Sequence, residues 1–135
     1  MKRKTRAATV DGLIIKDNKL LLVKRGKEPY QGFWALPGGY VEWHETCEEA
    51  VVREISEETQ LATQVKNIIG VYSAPSRSPH HTISIGYLLK ILSGEIQKSE
   101  ESSDIGWFPL DCLPPLAFDH KNIVDDYLEG IKNGK

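Results

Sequence analysis

Residues 38–61 read GGYVEWHETCEEAVVREISEETQL, and they limit what the chain can fold into more than any other stretch. Seven of the seventeen residues at 42–58 are glutamates, with one arginine among them. Thr46 followed by Glu49 has the spacing of a capping box, which predicts a helix with its N-cap at Thr46. The helical pattern runs out near Thr59. Gln60 then occupies a place where glycine is usual, because backbone there often turns to positive φ.

With side chains about 100° apart around the axis, Cys47, Val51 and Ile55 form an apolar stripe. Arg53, Ser56 and Glu49 fall on the far side, where solvated groups belong. Glu54 and Glu58 fall about 60° and about 20° from Val51, at the edge of the stripe or inside it. Glu57 lies about 60° beyond Glu54. A solvated acidic face accounts for Glu48 and Glu49. It accounts poorly for Glu54 and Glu58, since buried, unpaired carboxylates are costly and like charges at helical spacing repel. Arg53 stands four residues before Glu57 and is expected to pair with one acid of the group. A hard divalent cation, Mg2+ or Mn2+, takes oxygen ligands and would compensate the rest. Gly38 and Gly39, just before the helix, let the backbone approach an ion or a phosphate closely. Such a cation lowers the pKa of bound water and offsets charge on a diphosphate, and a neighbouring glutamate can take the proton.

Around this segment the pattern is of strands at 6–16, 20–25, 33–39, 63–75, 82–92 and 105–110, with a turn at 17–19. Polar loops fall at 75–81 and 94–104, and a last helix at 119–130. Strands with two separated helices predict an α/β sandwich around a mixed sheet. With 135 residues and no repeat or linker, the expectation is a single domain, 1–135. A net charge of −2 gives no reason to expect nucleic acid as a partner. No apolar run suits a membrane span. Two cysteines, Cys47 and Cys112, without metal-type spacing, fit a cytoplasmic protein with free thiols.

The segment resembles the Nudix box, G-x5-E-x7-R-E-U-x-E-E-x-G-U, where U is a bulky aliphatic residue. The matching positions are Gly39, Glu45, Arg53, Glu54, Ile55, Glu57, Glu58 and Leu61; Gln60 departs from the pattern, standing at the glycine. The resemblance implies the Nudix α/β/α sandwich, with a mixed β-sheet between helices. It implies that Glu54, Glu57 and Glu58 hold the divalent metal, one of them serving as base, with the Gly39 carbonyl as a further ligand. Arg53 would orient the glutamates, while Glu45 and Gly38 would support the site. Glu101, in the acidic loop before Trp107, is the candidate for an additional metal ligand. The reaction implied is hydrolysis of a nucleoside diphosphate linked to another moiety, by attack of water at phosphorus. The resemblance leaves room for a homodimer.

Outside the box, the stretch GVYSAPSRSPHHTISIGYLL resembles the ADP-ribose pyrophosphatase-like branch of that superfamily. This implies ADP-ribose as substrate and AMP and ribose 5-phosphate as products. Arg25, Arg77 and His81 are the candidate substrate contacts, against the alternative of ordinary surface and loop residues. Asp119 is expected to cap the last helix rather than touch substrate, and His120 to stand solvated at its start, with reach into the pocket as the alternative. Two other functions share the box: removal of oxidised nucleoside triphosphates, and non-catalytic sensing of an ADP-ribose-type ligand.

Overall fold

The computed structural model describes residues 3–132. The chain forms β1 (Ala8–Lys16), β2 (Lys19–Arg25), β3 (Trp34–Ala35), β4 (Gly38–Tyr40), α1 (Cys47–Thr59), β5 (Ala62–Tyr72), β6 (Ile83–Ser93), β7 (Ser102–Pro109) and α2 (His120–Lys132). The β1–β2 turn is Asp17-Asn18, both at positive φ (52° and 63°), a geometry whose twist suits a two-residue hairpin. Pro37 has no N–H to donate, and the expected strand at 33–39 is accordingly split in two. Its first part, β3, pairs with β2; its second, β4, pairs with β1.

Strand β1 organises the sheet. Along its length it runs parallel to β6; its first half also pairs with β4, and its last residues pair with β2. Strand β5 continues the sheet antiparallel to β6, and β7 lies antiparallel to β2. The sheet is therefore mixed, as expected. Its central strands read as near-continuous apolar runs because both faces are covered. Val10, Ile14 and Leu21 pack with Ala50, Val51 and Ile55 of α1. Leu13, Leu20 and Leu22 pack with Ile123 and Val124 of α2 on the other side. This is the α/β/α sandwich. Gly12 permits the close approach of α1, since a Cβ there would come within 2.5 Å of Ile55 Cδ1.

Three expectations need correction. The loop at 94–104 yields its end to β7, which starts at Ser102, because Ser102 and Asp104 find strand partners on β2 at Arg25 and Lys24. Asp119 does not serve as a free cap: its carboxylate receives the Arg77 guanidinium at 2.7 Å. His120 is not solvated but 3% exposed, with both ring nitrogens engaged.

Candidate active site

Helix α1 begins as its sequence specifies. Thr46 Oγ1 accepts the Glu49 N–H, and the Glu49 carboxylate accepts the Thr46 N–H. At the other end Gln60 takes the left-handed conformation, φ 68°, and donates its N–H to the Ser56 carbonyl. This capped helix aims Glu54 and Glu58 at β4. Gly38 N–H donates to Glu58 Oε1 at 3.2 Å. Gly39 lies against Glu54, where a Cβ would meet the carboxyl carbon at 2.5 Å. Gly39 is thus required by its close approach to Glu54, and Gly38 by the Val10 carbonyl, which a Cβ there would strike.

Arg53 does more than pair with one glutamate. Its long side chain folds back from the helix and is only 24% exposed. It bonds both oxygens of Glu45, at 2.9 and 2.6 Å, and reaches Glu54 at 2.8 Å and Glu57 at 3.1 Å. It also donates to the Tyr40 carbonyl at 3.1 Å. The helix, the turn and β4 are thereby joined through one guanidinium. Hydrogen bonds from the Arg53 guanidinium and from the Glu42 main-chain N–H hold the Glu45 carboxyl at about 2.

Arg53 does not reach Glu58. Burial and the neighbouring Glu54 push the Glu58 carboxyl up to about 9. Burial also raises Glu54, against the pull of Arg53. Two half-buried acids side by side, of which Arg53 reaches only Glu54, form an environment that lacks positive charge, and oxygen donors in such a place suit a hard divalent ion. Glu54, Glu58, Glu101, Gly38 and Gly39 line one cavity of about 280 Å³, together with Arg25 and Lys27. The Glu57 carboxylate, 60% exposed, turns toward Arg53. Among the described residues, no three acidic, histidine or cysteine side chains are already gathered around one point.

A second cavity, about 350 Å³, adjoins the first at β4. It shares Arg25, Lys27, Gly38, Gly39 and Tyr40 with the first. The Phe118 ring lines it, with the Arg25 guanidinium 5.0 Å from the ring centroid. Arg25 also donates to the Pro29 carbonyl at 2.6 Å. Arg77 lines this cavity but is 7% exposed, held by both Asp119 oxygens and by Thr82 Oγ1 at 2.7 Å. His80 lines the cavity as well; His81 does not, and its Nδ1 lies 2.9 Å from the Pro75 carbonyl.

The inner wall is polar and unexpected. Asp11 and His120 are both buried, with His120 Nε2 3.3 Å from Asp11 Oδ1. Ser84 Oγ donates to the other Asp11 oxygen. Burial acts to raise the Asp11 carboxyl, but His120, Ser84 and Arg77 outweigh it and hold the group below its ordinary range. A single aspartate in an apolar strand is the sequence signal that could have shown this wall: Asp11 interrupts the run ATVDGLIIK.

The NUDIX domain family model matches residues 5–127. An ADP-ribose pyrophosphatase of Methanocaldococcus jannaschii is 52% identical over 129 residues, spanning 95% of this chain and 76% of the relative. A putative ADP-ribose pyrophosphatase of Bacillus subtilis, YjhB, is 32% identical over 117 residues; the match spans 84% of this chain and 55% of that protein. Among solved structures, the NUDIX domain of Shewanella oneidensis NrtR, crystallised with ADP ribose, superimposes with a TM-score of 0.84 at 27% identity, covering 96% of this chain and 90% of that one. The box residues gathered at β4 and α1, and a family match over most of the length, place this chain in the Nudix family.

Proposed function

We propose that the chain hydrolyses the diphosphate bond of ADP-ribose, releasing AMP and ribose 5-phosphate. The observation that carries this reading is the junction of the two cavities. An acidic cavity and an aromatic-walled cavity meet at Arg25 and Lys27, so one molecule can lay a diphosphate at the junction and a nucleoside end beside Phe118. Together their volume suits a small-molecule ligand of this size. The relatives named ADP-ribose pyrophosphatase and the neighbour crystallised with ADP ribose support the same choice.

In this reading Glu54, Glu57, Glu58 and Glu101, with the Gly39 carbonyl, hold Mg2+ or Mn2+. The ion, when bound, offsets charge on the diphosphate and makes water a better nucleophile. For Glu57 to join the set, its carboxylate leaves Arg53, and Arg53 keeps Glu54 and Glu45 oriented. One glutamate of the set takes the proton from the attacking water. Arg25 and Lys27 bind diphosphate oxygens, and Arg77 stiffens the nucleoside cavity through Asp119 and Thr82. The two free thiols support a cytoplasmic location. No described helix is long and apolar enough to cross a membrane, and a small nucleotide, not a nucleic acid, is the partner that these cavities fit.

Incubation with ADP-ribose, NADH, nucleoside triphosphates and oxidised nucleoside triphosphates, each with Mg2+, Mn2+ or EDTA, tests the proposal. AMP and ribose 5-phosphate formed from ADP-ribose and abolished by EDTA is the expected result. Faster turnover of an oxidised triphosphate with release of pyrophosphate would overturn the substrate. Tight binding of ADP-ribose without turnover would overturn the enzymatic role.

A further inference from the structure

The turn at residues 36–39 presents Gly38 and Gly39 to the acid pair, and it is fastened from two sides. Toward α1, Gly38 N–H bonds Glu58 and Gly39 packs on Glu54. On the sheet itself, Gly12 N–H donates to the Pro37 carbonyl at 2.9 Å. Toward α2, the Leu36 N–H donates to His120 Nδ1 at 3.0 Å. Leu36 follows the last residue of β3 and precedes Pro37, so the strand ladder ends there, and its buried N–H takes an imidazole as acceptor. That bond leaves Nδ1 without a proton and puts the ring hydrogen on Nε2, facing Asp11. Asp11 in turn braces the same turn: a Cβ on Gly38 would come within 2.7 Å of its Oδ1.

We infer that His120 is a positioning residue for this reaction, holding the 36–39 turn through the Leu36 N–H so that the Gly39 backbone and the Glu54–Glu58 pair keep their spacing. An apolar side chain of similar size would fill the volume more cheaply than a buried imidazole and carboxylate. What an apolar residue cannot supply is an acceptor for Leu36. The 117–120 segment reaches the strand before the turn by a further bond, from Ala117 N–H to the Trp34 carbonyl at 2.8 Å. The start of α2 is thus fixed to the catalytic turn, although no residue of α2 enters the acidic cavity.

This inference rests on the metal-dependent reading above, and its test separates the two. The variants are His120→Ala, His120→Asn and His120→Gln. Asparagine places an amide oxygen near the position of Nδ1 and can accept from Leu36. Glutamine places an amide NH2 near Nε2 and can donate to Asp11, but offers Leu36 nothing. Mn2+ binding to the nucleotide-free protein is read by water-proton relaxation, and kcat and KM are measured with ADP-ribose. Loss of a hydrogen bond behind a metal site typically costs ten- to a hundredfold. The expected result is that alanine and glutamine weaken Mn2+ binding and lower kcat about tenfold or more, with KM changed less than about threefold, while asparagine stays within about threefold of wild type. Rescue by glutamine rather than asparagine, or losses that follow only the melting temperature, would overturn the inference. A wild-type chain that binds no Mn2+ would overturn the metal reading itself. If the variants do not fold, 15N spectra of the wild-type ring decide: an unprotonated Nδ1 is expected, and a proton on Nδ1 overturns the inference.

Discussion

The Glu54 carboxyl carbon lies where a side chain on Gly39 would begin, 2.5 Å from the position of a Cβ. The acid and the glycine backbone are in contact before any ligand arrives. Gly39→Ala should therefore displace Glu54 without touching the core. A displacement of about 1 Å at a reacting centre costs roughly a hundredfold in rate. We expect kcat for ADP-ribose to fall about that much, with KM changed little, in steady-state assays. A rate near wild type would mean that Glu54 is free to move without consequence.

Glu58 makes the metal-free protein sensitive to pH. Its carboxyl is pushed from the ordinary 4.5 to about 9. Between those values the folded chain holds a proton that the unfolded chain has released, so stability falls as pH rises. The contribution is whole below about 4.5 and gone above about 9. Urea unfolding in EDTA from pH 5 to 9 should show this decline in wild type and a flatter profile in Glu58→Gln. The same variant, like Glu57→Gln, should lose kcat by orders of magnitude. Parallel stability profiles for wild type and Glu58→Gln would contradict the assignment of the raised group.

Arg53→Lys tests whether shape or charge matters at the helix–turn junction. A lysine keeps the charge but cannot bond Glu45, Glu54, Glu57 and the Tyr40 carbonyl at once. Activity should fall about ten- to a hundredfold. The Glu45 carboxyl, held at about 2 in the wild type, should rise toward its ordinary range. Carboxyl-carbon NMR titration reads that rise directly, and an unmoved Glu45 would show that lysine replaces the fork.

Gln60 carries backbone strain that the family pattern avoids. Its φ of 68° costs a non-glycine residue about 1 kcal/mol or more, partly offset by the entropy that glycine loses on folding. Gln60→Gly should raise stability by roughly 0.5–1 kcal/mol in urea unfolding and leave kcat unchanged. Destabilisation would mean that the glutamine side chain contributes a compensating contact.

Much of the acidic half of the site was legible because its geometry is local. The capping box at Thr46 and Glu49 set the helix phase, and the phase put Glu54 and Glu58 at the edge of the apolar stripe. Arg53 was harder: angular position placed it on the solvated side, but a long flexible stem carried its head back to Glu45 and Tyr40. The buried partners of Asp119 and His120 were not legible. The partner of Asp119 is 42 residues away at Arg77, and that of His120 is 84 residues away at Leu36. Burial of a polar side chain depends on a partner that only the assembled fold supplies, and nothing periodic in the sequence announces it.

The parallel pairing of β1 with β6 has a kinetic consequence. Ser84 meets Asp11 although they stand 73 positions apart, and the chain between them includes the whole acidic helix. Loops of such length close late and slowly, because the entropy of closure is spent before the contact is made. The inner wall of the nucleoside cavity therefore completes only when the chain as a whole has folded. On refolding, recovery of nucleotide affinity should lag behind helix formation and coincide with the last structural phase, making ligand binding a reporter of global rather than local order.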